Sequence, residues 1–313
     1  MAYGFNLDAF KDTNYVNELS AMTGEFFAIG RTISLIDIQP NNKNRESLNM
    51  FTNDIDVQDN VSCSFNPSGS VNLIQKFVEV VPKSVMDRVC YKDLEKTYLA
   101  MMMKDTEIPF EKQLAESYIN KVRRYIEIFL WNGDGTYKGL VEQIAEDADV
   151  IDAATEVETA STAMGKVKAM INKMTADILE SDDVRLFCPT TFYLQYVQEL
   201  IDSNKYIMPE KYNTGDPMAQ ELQIPGTTVK LTPVLGLDHI TNVTKDDGEF
   251  LVLTYAKNLV ASFDGVSGET ERFSMLINPY NNNSLDVDIE FKIGSAEKWG
   301  NKIIKGYTLV SES

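Results

Sequence analysis

PFEKQLAESYINKVRRYIEIFLWNGDGT, residues 109–136, is the stretch that decides how this chain reads. Leu114, Tyr118, Val122, Tyr125 and Phe129 recur at intervals of three and four, with Ile119, Ile126 and Leu130 beside them. That spacing is one face of an α-helix. Pro109 suits a first helical turn, where the missing N–H costs nothing. The stretch predicts a helix over 109–131 of roughly 34 Å, long for a globular protein. Asn132, Gly133, Asp134 and Gly135 end it, because glycine enters the left-handed region at little steric cost.

Outward from this helix, the 313 residues suffice for one large domain or two modest ones. Hydrophobic content of 43% and charged content of 24% are those of a folded protein with a core. No apolar run is long enough for a transmembrane helix, and MAYGFNLDAFKDTNYVNEL is not the pattern of a secretory signal. Cys63, Cys90 and Cys188 are too scattered for a disulfide framework or a zinc site. The net charge of −18 argues against free nucleic acid as a ligand. Its distribution is uneven: residues 76–124 carry ten basic and eight acidic side chains, and the rest of the chain 19 and 39. Residues 142–158 hold seven acids and no Lys or Arg. They read either as a solvated acidic loop or as acidic surface that meets the basic strip of another copy.

In chain order, residues 1–30 read as an arm and 31–38 as a strand. Residues 45–82 read as a long hairpin with little to bury, which needs something to lie against. Pro82 interrupts, 84–91 is a strand and 92–103 a short helical segment. Beyond the acidic stretch, 161–180 predicts one amphipathic helix capped by Ser161 or Thr162. A strand at 184–188 leads through Pro189 into a third helix, and 227–237 and 249–256 are strands. Leu285, Val287, Ile289, Phe291 and Ile293 alternate with Asp286, Asp288, Glu290 and Lys292, a half-buried strand. Residues 302–310 close the chain as a strand, so the class is α+β.

The residues offer no enzyme. His239 stands alone, no nucleotide-cradling or metal-ligating spacing occurs, and 47 acids make any carboxylate pair uninformative. Asn132–Thr136 resembles a calcium loop, but the twelfth position is Gln143, which brings no carboxylate. Trp131 and Trp299 read as packed aromatics. No cofactor is expected.

Taken together, ESYINKVRRYIEIFLWNGDGT (116–136), RLFCPTTFYLQYVQELIDSNKYIMP (185–209), IPGTTVKLTPVLGL (224–237), VASFDGVSGETERF (260–273) and the late KIIKG resemble the major capsid proteins of tailed bacteriophages with the Hong Kong 97 fold. Against the family's pattern, the Pro after the Gly turn is missing, and Lys205 stands where Gly is usual. The resemblance covers residues 30–310 and implies an arm and first strand (1–44), an extended hairpin loop (45–82), a peripheral domain (83–138 and 257–288) with a spine helix at 109–131, and an axial domain (139–256 and 289–313) with a central mixed sheet flanked by helices. It implies a virion shell of hexamers and pentamers, assembled in the host cytoplasm around double-stranded DNA held without sequence-specific contacts. Portal, scaffold and decoration proteins are implied partners. No N-terminal scaffolding segment fits, so a separate scaffold or none is expected.

Lys76, Lys83, Arg88, Arg123 and Arg124 are the expected assembly residues, and Asn132–Gly135 the turn between domains. Lys76 and Lys83, with Asn281, Asn282 and Asn283, have the residue types of the family's cross-link, without a secure alignment. An encapsulin nanocompartment, which shares the fold, and a carboxylate-dependent hydrolase or sugar-binding protein are the alternatives.

Overall fold

Residues 32–55, 69–89, 110–203, 222–240, 249–264, 272–278 and 284–307 are described by the computed structural model, without the side chains of 53–55, 110–116, 272–278 and 285. The expected helical segment at 92–103, Pro109, Cys63, Cys90 and Asn281–Asn283 lie outside the described residues, as does the side chain of Leu114.

The long helix α1 runs Phe110–Asn132. Its buried line is Ile119, Val122, Ile126, Phe129 and Leu130, extended by Trp131. This corrects the stripe read from the spacing: Tyr118 is half-buried and Tyr125 is 41% exposed. The stripe is rotated because Glu127 also points inward. Its carboxylate, 5% exposed, accepts from the backbone N–H and the hydroxyl of Thr32, and the Trp131 indole N–H donates to the same hydroxyl at 2.9 Å. The network fixes the turn at residues 32–36 against the helix. That turn replaces most of the strand expected at 31–38; only β1 (Asp37–Gln39) is extended.

A first sheet is built on β12 (Ser284–Glu297), the longest strand described. β4 (Val81–Val89) pairs antiparallel along residues 285–293 of β12, and β11 (Arg272–Asn278) along 284–290. β10 (Leu259–Phe263) takes the last five residues, and β1 runs parallel to β10. Val287, Ile289, Phe291 and Ile293 are buried and Glu290 is exposed, so the alternation does set the face. Pro82 does not break β4: among the described residues the strand pairs only with β12, and an edge tolerates the missing N–H.

The second sheet has six strands in the order β5 (Ile151–Asp152), β13 (Ile304–Tyr307), β9 (Phe250–Tyr255), β6 (Val184–Cys188), β8 (Lys230–Pro233), β7 (Leu222–Gln223). β6 is buried at every residue and β9 at five of six. Phe250 and Val252 join the core beneath α1, whereas Leu251 and Leu253 join a second core. A sheet covered on both faces explains why these strands are continuous apolar runs. The second core is closed by α4 (Ala163–Asn172) and α6 (Thr190–Asp202). α4 begins where expected, with the Thr162 hydroxyl accepting from the Gly165 N–H, but the helix expected to reach 180 stops at Asn172 and resumes as the short α5 (Ala176–Leu179). Residues 227–237 hold only four residues of strand and then a 3-10 turn, Leu235–His239, packed on α1.

The acidic stretch is not a loop. It forms α2 (Leu140–Glu146), β5 and α3 (Ala154–Thr159), with Val141, Ile144, Val150 and Val157 buried, and Glu146, Asp149, Asp152, Glu156 and Glu158 exposed, whereas Asp147 is part-buried. The strand Gly69–Glu79 meets β12 at a close backbone contact. A Cβ on Gly294 would lie 1.8 Å from the Glu79 carbonyl oxygen, and the neighbouring Ser295 exchanges hydrogen bonds with the Tyr137 hydroxyl at 2.6 and 2.7 Å. Gly294→Ala is therefore expected to lower the unfolding free energy by about 1–3 kcal/mol, since backbone must move to admit the methyl group. Urea denaturation of the unassembled subunit measures this, and an unchanged midpoint would refute the close-contact argument.

Candidate assembly interface

β2 (Arg45–Ile55) and β3 (Gly69–Glu79) form the expected hairpin, an uninterrupted antiparallel ladder from Arg45↔Glu79 to Ile55↔Gly69. It is a separate two-stranded sheet. Leu48 and Val78 pack at its root on Val260 and Ala296, and Met50 is also buried. The opposite face is open. Phe51 and Leu73 face each other across the ladder at 65% and 59% exposure, with Val71 and Phe77 on the same side. Contiguous exposed apolar side chains of this kind are unusual on a monomer's surface. Phe77 has a partial cover, the Arg45 guanidinium 3.8 Å above its ring.

Lys76, one of the expected assembly residues, reaches back into its own subunit. Its ammonium lies 2.9 Å from Asp147, just past α2, and 2.9 Å from Glu297, the last residue of β12. Burial alone would lower the Lys76 pKa; the two carboxylates outweigh it, and the group titrates above its ordinary 10.5. Burial would likewise raise Asp147, but Lys76 and the Asp149 N–H bring it below 3.8. A raised Lys stabilises fully below its unfolded value and a lowered Asp fully above its own. The clamp therefore holds between about pH 4 and pH 10, weakening in acid as Asp147 is protonated and in alkali as Lys76 is neutralised.

Two more of the expected cations are also paired internally. Lys83 binds Asp134, and Arg88 makes a two-point contact with Asp286 at 2.6 and 3.0 Å. Arg123 and Arg124 differ. Arg123 is half-buried and touches Asn120 at 3.5 Å, with no partner for its Nε among the described residues. Arg124 is exposed and lies 3.3 Å from Nε2 of His239.

The turn after α1 is held by its own atoms. Gly133 and Gly135 sit at φ 68° and 83°, and the Asp134 carboxylate accepts from the N–H groups of Thr136 and Tyr137. With Lys83 as its strongest partner, Asp134 titrates below its usual range. Asn132 donates to the carbonyls of Gly236 and His239, and Gln143 donates to those of Lys138 and Ser295. Asn132 thus ties the turn to the 3-10 turn Leu235–His239, Asp134 ties it to β4 through Lys83, and Gln143 of α2 links its far side to β12. Among the described residues no cluster of three or more His, Cys, Asp or Glu could hold a metal, and no helix is long and apolar enough to cross a membrane.

Sequence reasoning missed the Glu127–Thr32 link and the Asp147–Lys76–Glu297 clamp. The first left a signal: Glu127 falls three and four residues before Leu130 and Trp131, on their side of the helix. The second left none, since its members are 71 and 221 residues apart.

No protein-family model matches the sequence, and neither does any curated protein. Solved structures do match. The chain is similar to the satellite phage P4 procapsid over 97% of its length and 93% of the other, with TM-score 0.59 and 11% identity. It is similar to the capsid of an empty GTA particle over 88% and 89% (TM-score 0.58, 11% identity), and to the capsid of Myoviridae phage XM1 over 88% and 90% (0.54, 10%). The chain shares the fold of these capsid structures over 88–97% of its length.

Proposed function

We propose that this chain is the major capsid subunit of a tailed bacteriophage, a structural protein that assembles with copies of itself into an icosahedral shell around double-stranded DNA. The observation that carries the reading is the likeness to phage capsid structures over nearly the whole of both chains. The hairpin supports it independently, because a two-stranded ribbon with an exposed apolar face is stable only against something else. In this reading β2–β3 is the extended loop that lies over an adjacent subunit. α1 with the β12 sheet is the peripheral domain and its spine, and the six-stranded sheet with α4 and α6 is the axial domain. The subunits form hexamers and pentamers, assembled in the host cytoplasm with scaffold and portal proteins and, in some shells, decoration proteins. The strongly acidic surface encloses DNA without gripping it.

Electron microscopy of the purified protein tests this: shells, hexamers or pentamers are expected. A monomer that assembles under no condition would overturn it. Charge registration between copies falls to Arg123 and Arg124, since Lys76, Lys83 and Arg88 are engaged within the subunit. Reversing both to Glu is expected to leave a folded subunit and cut shell yield at least ~tenfold, because like charges then meet at each repeated contact. Normal shell yield, measured by sedimentation and microscopy, would refute the registration argument.

A further inference from the structure

We infer that Lys76 is the fulcrum of the hairpin: its ammonium, clamped between Asp147 and Glu297, fixes the angle at which the ribbon leaves the subunit, and the described ribbon outside Met50 and Lys76, residues 51–55 and 69–75, is the part that pivots on it. The inference rests on the capsid reading and adds the device that governs the hairpin.

Position along β3 carries the argument. Val80 and Val78 are buried, Lys76 is half-buried, and on its side of the ribbon Ile74 is 40% exposed and Asn72 is exposed. Lys76 is thus the outermost residue of β3 that the body holds. Opposite it in the ladder stands Leu48, packed on Val260 and Ala296. On β2 the last buried side chain is Met50, opposite Ile74. The root is held by these apolar contacts, by the Asn42 amide donating to the Val78 carbonyl, and by one cation that joins three elements: β3, the end of α2 and the end of β12. Glu297 is only 7% exposed, and its second oxygen has no hydrogen-bond partner among the described residues. Removing the ammonium leaves two neighbouring carboxylates, one of them buried, without a counter-charge, which is the costly way to break a buried pair. The clamp is therefore strong while engaged and self-repelling once disengaged. Such a contact favours two discrete hairpin positions over a continuum.

The experiment is hydrogen–deuterium exchange on the full-length subunit and on its assembled shells, comparing wild type, Lys76→Arg, Lys76→Met and the double variant Asp147→Asn/Glu297→Gln. The expected result is an exchange rate over residues 69–79 raised about tenfold or more in Lys76→Met and in the double variant, with Lys76→Arg near wild type and peptides from β9 and α1 unchanged. The double variant keeps the test valid if Lys76→Met folds poorly, since it removes the charges with shape retained. Wild-type exchange over 69–79 in the double variant or in folded Lys76→Met would overturn the fulcrum, even where shells form normally. A wild-type protein that forms no shells, with the exchange pattern as expected, would overturn the capsid reading and leave the clamp standing.

Discussion

Replacing Phe51 and Leu73 together by Asp is expected to abolish closed shells while leaving the isolated subunit folded. The two side chains are already 65% and 59% exposed, so the folded subunit loses almost no buried area. They sit opposite each other on the outer face of the hairpin, away from the root contacts of Leu48 and Val78. In a shell each would be covered, and burying a side chain of this size contributes about 1.5–3 kcal/mol per contact. Two carboxylates in their place reverse the sign, since an unpaired charge resists burial. The repeated symmetry of a shell multiplies the effect over every copy. Circular dichroism and the urea midpoint check the fold, and negative-stain microscopy checks assembly. Shells at wild-type yield would show that the apolar face of the ribbon is not a subunit contact.

Phe129→Ala is expected to destabilise the subunit by about 3–5 kcal/mol, the usual cost of emptying a buried aromatic site. The ring is 1% exposed, stacks on Tyr137 with centroids 5.3 Å apart, and lies beneath the Lys83 ammonium. It therefore joins α1, the Gly turn and β4 at one point. Tyr125→Ala, one helical turn earlier, is expected to cost only about 1 kcal/mol, because the ring is largely at the surface and loses mainly its contacts with Phe129 and Phe291. Chemical denaturation of both variants gives the difference directly. Equal losses would mean that the helix face is not the one described.

That pair of variants also marks where sequence reasoning stops. The interval of three and four in 109–136 gave a helix within one residue at each end, because periodicity is a local property of the chain. It could not say which way the helix is rolled. Glu127 turned inward to hold Thr32, 95 residues away, and Tyr125 turned outward in consequence. The acidic stretch of 142–158 misled for a related reason. Its charges are dense, yet Val141, Ile144, Val150 and Val157 are spaced to bury one side, and only the sheet beneath shows that they do. The break of the predicted helix at 161–180 is likewise tertiary, since nothing between Lys173 and Thr175 forbids a helix.

By itself the sequence determined the elements whose signal is periodic or steric: α1, the β2–β3 hairpin, the alternating strand β12, a cap at Ser161 or Thr162 (the structure uses Thr162) and the glycine turn after Asn132. Through the order of its motifs it also pointed to a capsid fold, to which the solved structures are similar. Only the tertiary structure decided the roles of the charges. Lys76, Lys83 and Arg88 stand in a basic strip when read in order, yet in space each is matched by a carboxylate 51 or more residues away. A charge acts through whatever lies within a few ångströms of it, and sequence distance carries no information about that neighbour.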